Sequence, residues 1–121
     1  MIIPLKSGSL NKTIPIRDFT VTVDYPTYRQ EKEIEAFLIE GSGVEDEGKQ
    51  KVIYLEYVRK YLQATIKDWS GIKDQNGNEI PFNQNNAEEL IYLLTKDMSV
   101  GMELYEVISK ELSFTADEKK N

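Results

Sequence analysis

The sequence contains no cysteine and no histidine. Without cysteine there is no disulfide scaffold, thiolate zinc site or cysteine nucleophile. Without histidine the commonest base at neutral pH, the serine triad and nearly all zinc chemistry drop out. Long apolar runs are missing too. No segment approaches the roughly 20 apolar residues of a membrane-spanning helix. The opening Met1-Ile2-Ile3-Pro4-Leu5-Lys6 is interrupted too early for the apolar stretch of a signal peptide. These absences predict a soluble, intracellular, non-catalytic protein with no cofactor, no metal and no membrane association.

What is present suits one folded unit spanning residues 1–121. Hydrophobic residues make up 40% and charged residues 30% of the 121 positions, with a formal net charge of -6. That composition belongs to a single globular domain able to bury roughly two-thirds of its unfolded surface. The acidic balance disfavours nucleic acid, because binding a polyanion needs a concentrated basic face. Lys49, Lys51, Arg59 and Lys60 come nearest to one, and on a long helix they read as its solvated strip.

Residues 1–18 mix Pro4, Gly8 and Pro15 with isolated aliphatics and predict an extended N-terminal arm. Phe19-Thr20-Val21-Thr22-Val23-Asp24 alternates with a period of two, the pattern of a half-buried strand that Pro26 ends. Thr27 is a candidate cap for a first helix with Ile34, Phe37 and Leu38 on its apolar stripe, stopped by Gly41-Ser42-Gly43. A second helix is predicted from near Glu45 to Ile66. Val52, Leu55, Val58, Leu62 and Ile66 mark one face, and Tyr54, Tyr57 and Tyr61 an adjoining one. Asn76-Gly77 between apolar flanks predicts a type I′ hairpin over residues 67–82. Asn83, or Asn86 with Glu89, can cap a third helix carrying Leu90, Ile91, Leu93 and Leu94 to about Lys96. Ser99 can cap a fourth, with Val100, Leu104, Val107 and Ile108 along one side. Residues 115–121 read as a short, charged, frayed tail. The expected class is α+β: a mostly helical small domain of about four helices with an N-terminal strand and a short β-hairpin.

Few residues invite chemistry. Asp74, Asn76 and Asn78 open like a calcium loop, but its sixth and twelfth positions hold Glu79 and Asn85 instead of Gly and Glu. Glu45-Asp46-Glu47 stands where a helix should begin, and there its charge complements the helix dipole. The tyrosines combine large apolar area with a polar tip, so Tyr54, Tyr57 and Tyr61 suit either a protein interface or packing beneath the N-terminal arm. Trp69 reads as a core anchor between the second helix and the hairpin.

The stretch Trp69-Ser70-Gly71-Ile72, an Asp/Asn/Gly turn, Ile80-Pro81-Phe82 and then a capped, Leu-rich helix resembles the tail assembly chaperones of long-tailed bacteriophages and prophages. The matching positions are Trp69, Gly71, Ile72, Gly77, Pro81, Phe82, Leu90, Leu93 and Leu94, and the resemblance covers about residues 19–95. It implies a non-catalytic protein of the bacterial host's cytoplasm. Such a protein binds the tape measure protein, keeps it soluble while the tail tube polymerises, and is absent from the mature virion. The tail tube protein is a second candidate partner, and self-association stays open. Partner binding is expected at Tyr54, Tyr57 and Tyr61 or at Met98, Met102 and Phe114. Trp69, Gly71, Gly77, Pro81 and Phe82 form the structural motif. Two other classes remain alternatives: a structural virion component (a head–tail connector or tail subunit) and a small acidic inhibitor of host defence.

Overall fold

The alternation Ile14, Ile16, Phe19, Val21, Val23 puts every second side chain on one face, and that face is buried. A computed structural model describes residues 10–118, with side chains described through Leu112. In it β1 (Lys12–Ile16) and β2 (Phe19–Val23) pair antiparallel with Ile14 opposite Val21 and Ile16 opposite Phe19. On the outer face the Thr13 and Thr22 hydroxyls lie 3.1 Å apart. Pro15 is exposed on β1, an edge strand of the sheet order β1-β2-β3, where a missing donor is tolerated. The stretch read as an arm therefore supplies a strand from Lys12 onward, and residues 1–9 lie outside the described residues. Its turn consists of Arg17 and Asp18, with Arg17 at φ 54°, and it carries neither the glycine nor the asparagine that announces such turns.

The third strand, β3 (Ile66–Ser70), pairs antiparallel with β2. A register shift between Thr22 and Val23 sets Val23 against Ile66 but Thr22 against Asp68, leaving Lys67 as the extra residue. That bulge lets Ile66 and Trp69, three positions apart, both be buried. The hairpin predicted over residues 67–82 is thus corrected. The Trp69 strand pairs back onto β2, and the segment beyond Ser70 holds one isolated bridge, Lys73 to Glu79. The turn type differs as well, because positive φ falls on Gly77 (82°) and not on Asn76. The Asp74 carboxylate accepts from the backbone N–H of Asn76 (2.9 Å) and Asn78 (3.0 Å). Gly77 N–H donates to the Asp74 carbonyl at 3.1 Å, closing a three-residue loop with a left-handed glycine at its end.

Among the described residues four α-helices complete the α+β domain: α1 (Tyr28–Ser42), α2 (Glu47–Thr65), α3 (Ala87–Leu94) and α4 (Met98–Glu118). Thr27 caps α1 in a reciprocal box with Gln30, and Asp46 caps α2 through the Lys49 N–H at 3.0 Å. Asn83 caps a single 3-10 turn, Gln84–Asn86, whereas Asn86 makes no side-chain cap bond. For α4 the capping group is Asp97, not Ser99. Its carboxylate accepts from the Ser99 N–H (3.0 Å) and hydroxyl (2.6 Å), and these bonds hold it below the usual carboxylate range. The helix continues through Glu118, past the boundary predicted at Thr115, and residues 119–121 lie outside the described residues.

The sheet's inner face joins one apolar cluster with Val58 and Leu62 of α2, Ile91 of α3, and Val100, Leu104, Ile108 and Leu112 of α4. Arg17 ties the β1–β2 turn to α4 through Glu103 (2.6 Å) and Ser99 (3.2 Å), and Lys12 pairs with Glu111. Trp69 donates its indole N–H to the Ile80 carbonyl at 2.7 Å and meets the Phe82 ring edge-on at 5.0 Å. This side chain thereby ties the far end of the segment after β3 back to the sheet. Gly71 sits at φ 91°, and a Cβ there would lie 3.1 Å from the Asp18 carbonyl oxygen and 3.2 Å from Phe19 Cα. Gly71→Ala should therefore destabilise the fold by about 2–4 kcal/mol, combining left-handed strain with a backbone collision. At Gly77 the space is open, so Gly77→Ala should lose only about 1–2 kcal/mol. Denaturant melts of the two variants check the difference.

Candidate functional site

Spacing of three and four residues stacks Tyr54, Tyr57 and Tyr61 along α2, with neighbouring ring centroids 6.1 and 6.5 Å apart. Their surroundings separate them. Tyr57 and Tyr61 are half-buried and meet Tyr105 of α4 edge-on, at centroid distances of 5.5 and 5.1 Å. The Tyr57 and Tyr105 hydroxyls share a 2.6 Å hydrogen bond. Burial, and secondarily the neighbouring Tyr105, pushes the Tyr61 hydroxyl up to about 12. Tyr105 is raised in the same direction by burial first and then by the Tyr57 bond. These two α2 tyrosines pack beneath α4, an arrangement distinct from the expected cover by the N-terminal arm.

Tyr54 is 43% exposed and faces Met98, itself 39% exposed, across an open groove of about 640 Å³. Leu55 contributes to the floor, and Glu47, Gln50 and Lys51 form the rim. The groove exists because of where α4 begins. The side of α2 that buries Val58 and Leu62 continues one turn back through Tyr54 and Leu55, but the covering helix starts only at Met98. The seam between α2 and α4 thus opens into an apolar trough flanked by charged side chains.

The expected partner-binding residues accordingly fall into three groups. Tyr54 and Met98 come together in the groove; Tyr57, Tyr61 and Met102 lie partly buried against the core; the Phe114 side chain lies outside the described residues. The spacing of Leu55 predicts a core position, and it lines the groove instead. Val52 is exposed although its spacing predicts the core face, since each three-residue step rotates a helix by about 60° away from a fixed line. Leu38 and Leu93 are likewise exposed.

A second, polar groove of about 400 Å³ runs between α2 and the start of α3, with Arg59, Gln63, Asn85 and Glu88 among its lining. Arg59 is held there by three contacts: it donates to Glu56 and to Thr95, both at 3.0 Å, and stacks 4.7 Å from the Tyr92 centroid. Lys60 lies over the Phe37 ring at 5.4 Å. Two of the four cations in the basic strip read from the sequence, Arg59 and Lys60, are thus held in separate intramolecular contacts. Among the described residues there is no group of three or more side chains able to hold a metal ion. None of the described helices is long and apolar enough to cross a membrane.

The tyrosine cluster sets a pH limit. A folded-state hydroxyl that keeps its proton to about 12, against about 10 in the unfolded chain, makes the folded state bind more protons above pH 10. Stability from this source is complete below about pH 10 and is lost as pH rises towards 12. Thermal midpoints should be level through neutral pH and fall above about pH 10. A Tyr61→Phe variant should show a shallower alkaline decline.

A family model for the YdaY prophage proteins matches residues 32–121, a span that takes in α2, β3, α3 and α4. No curated protein and no solved structure matches the sequence. The matched span includes both walls of the Tyr54–Met98 groove and most of the chain, and the protein belongs to the YdaY prophage protein family.

Proposed function

We propose that this prophage protein is a tail assembly chaperone: a non-catalytic factor that binds the tape measure protein and keeps it soluble while the tail tube is built. The observation that carries the reading is the groove where the α2–α4 seam opens. It offers Tyr54, Leu55 and Met98 to a partner in a folded protein of net charge -6. A long helix with an unpaired apolar stripe aggregates in water, and a soluble acidic protein that covers the stripe prevents it. Met98 brings a flexible, polarizable side chain that adapts to irregular partners. The resemblance at Trp69, Gly71, Gly77, Pro81 and Phe82 supports the same reading, although none of those residues lines the groove.

The protein then works in the cytoplasm of the bacterial host and leaves before the particle is complete, with the tail tube protein as a second partner. Coexpression with the tape measure protein tests the idea. Tyr54→Ser combined with Met98→Ser should reduce co-purification at least about tenfold, a loss of more than about 1.4 kcal/mol. The thermal midpoint should stay close to the parent's, since both residues are exposed. Undiminished capture removes the groove from the account. Stoichiometric amounts in purified particles would replace the chaperone reading with that of a virion component.

A further inference from the structure

Helix α1 packs along α2 without contributing to the apolar core. None of its residues is buried, and the apolar cluster with its half-buried surround draws on the sheet and α2, α3 and α4 but on no residue of α1. The helix leans on α2 through Ile34 and Phe37, which are only half-buried. Between the two helices lies a small, half-open surface cleft of about 90 Å³, lined in part by Gln30, Ile34, Lys60 and Ala64. The face turned away from α2 mixes exposed Tyr28 (75%) and Ile39 (73%) with the exposed Lys32–Glu35 pair. At the C-terminal end Gly41 fits against Ile53, where a Cβ would stand 2.6 Å from the Ile53 side chain, while Gly43 has open space around it.

We propose that α1 is a removable cover: it opens as a unit of its own, between the links at residues 24–27 and 43–46, while the sheet, α2, α3 and α4 stay folded. Opening uncovers the strip of α2 that includes Ile53, Lys60 and Ala64, and frees Ile34 and Phe37 on α1. Closing is driven by little apolar burial, so the open form is within reach of thermal fluctuation. The strip it uncovers is a different side of α2 from the Tyr54–Met98 groove, and the inference stands whether or not the chaperone reading does.

Native-state hydrogen exchange on the full chain tests it. Amides of residues 30–41 should exchange at least about 100-fold faster than those of residues 58–65 and 104–112, after correction for intrinsic rates. Phe37→Ser should accelerate the α1 amides further and leave the unfolding midpoint reported by Trp69 fluorescence unchanged. Equal protection of α1 and the core overturns the proposal. So does a fall of several degrees in the Trp69 midpoint with Phe37→Ser, which would make α1 part of the cooperative core.

Discussion

The burial of the sheet's inner face against α4 is the contact on which the rest of the molecule depends. Ile14, Ile16, Phe19, Val21 and Val23 from the hairpin share one cluster with Val100, Leu104, Ile108 and Leu112 from α4. Each such side chain contributes about 1.5–3 kcal/mol when fully removed from water. The exposed pairs Arg17–Glu103 and Lys12–Glu111 add at most about 1 kcal/mol each and serve to align the hairpin along the helix. Once α4 is held there, its capped start fixes how much of α2 is covered. Val58 and Leu62 fall under it; Tyr54 and Leu55 do not.

Attachment to this core is graded. The sheet and α4 are bound through fully buried side chains, α3 through Ile91 and Ala87, and α1 through half-buried ones alone. The tyrosine cluster stands at an intermediate level, since its rings pack across the α2–α4 seam while the Tyr57 and Tyr105 hydroxyls bond to each other. The proposed binding of a partner on apolar surface would draw on such a gradient. The frame must hold its shape while the elements at its margin present or release what they cover.

The Trp69–Gly71 segment shows why a motif without chemistry can still be specific. Trp69 spans from the core to the Ile80 carbonyl and Phe82, and Gly71 passes so close to Asp18 and Phe19 that no side chain fits without displacement. Both residues lock the segment after β3 onto the sheet. In this protein the segment meets a packing requirement, and the open groove lies elsewhere, on α2 and α4.

Local signals in the sequence were enough for the α+β class, the four described helices, the cap at Thr27 and the strand at Phe19, because each depends on neighbours a few residues away. They misdirected at residues 67–82, where the Asn-Gly signal was real but Gly77 alone took the left-handed conformation and β3 found its partner in β2. The β1 strand was hidden behind an Arg-Asp turn with no glycine. The division of the α2 tyrosines and the existence of the groove could not be read from the chain at all. Periodicity marks which side of a helix is apolar; whether that side is covered depends on where a helix more than thirty residues later begins, and only the folded packing of α4 against the sheet decides that.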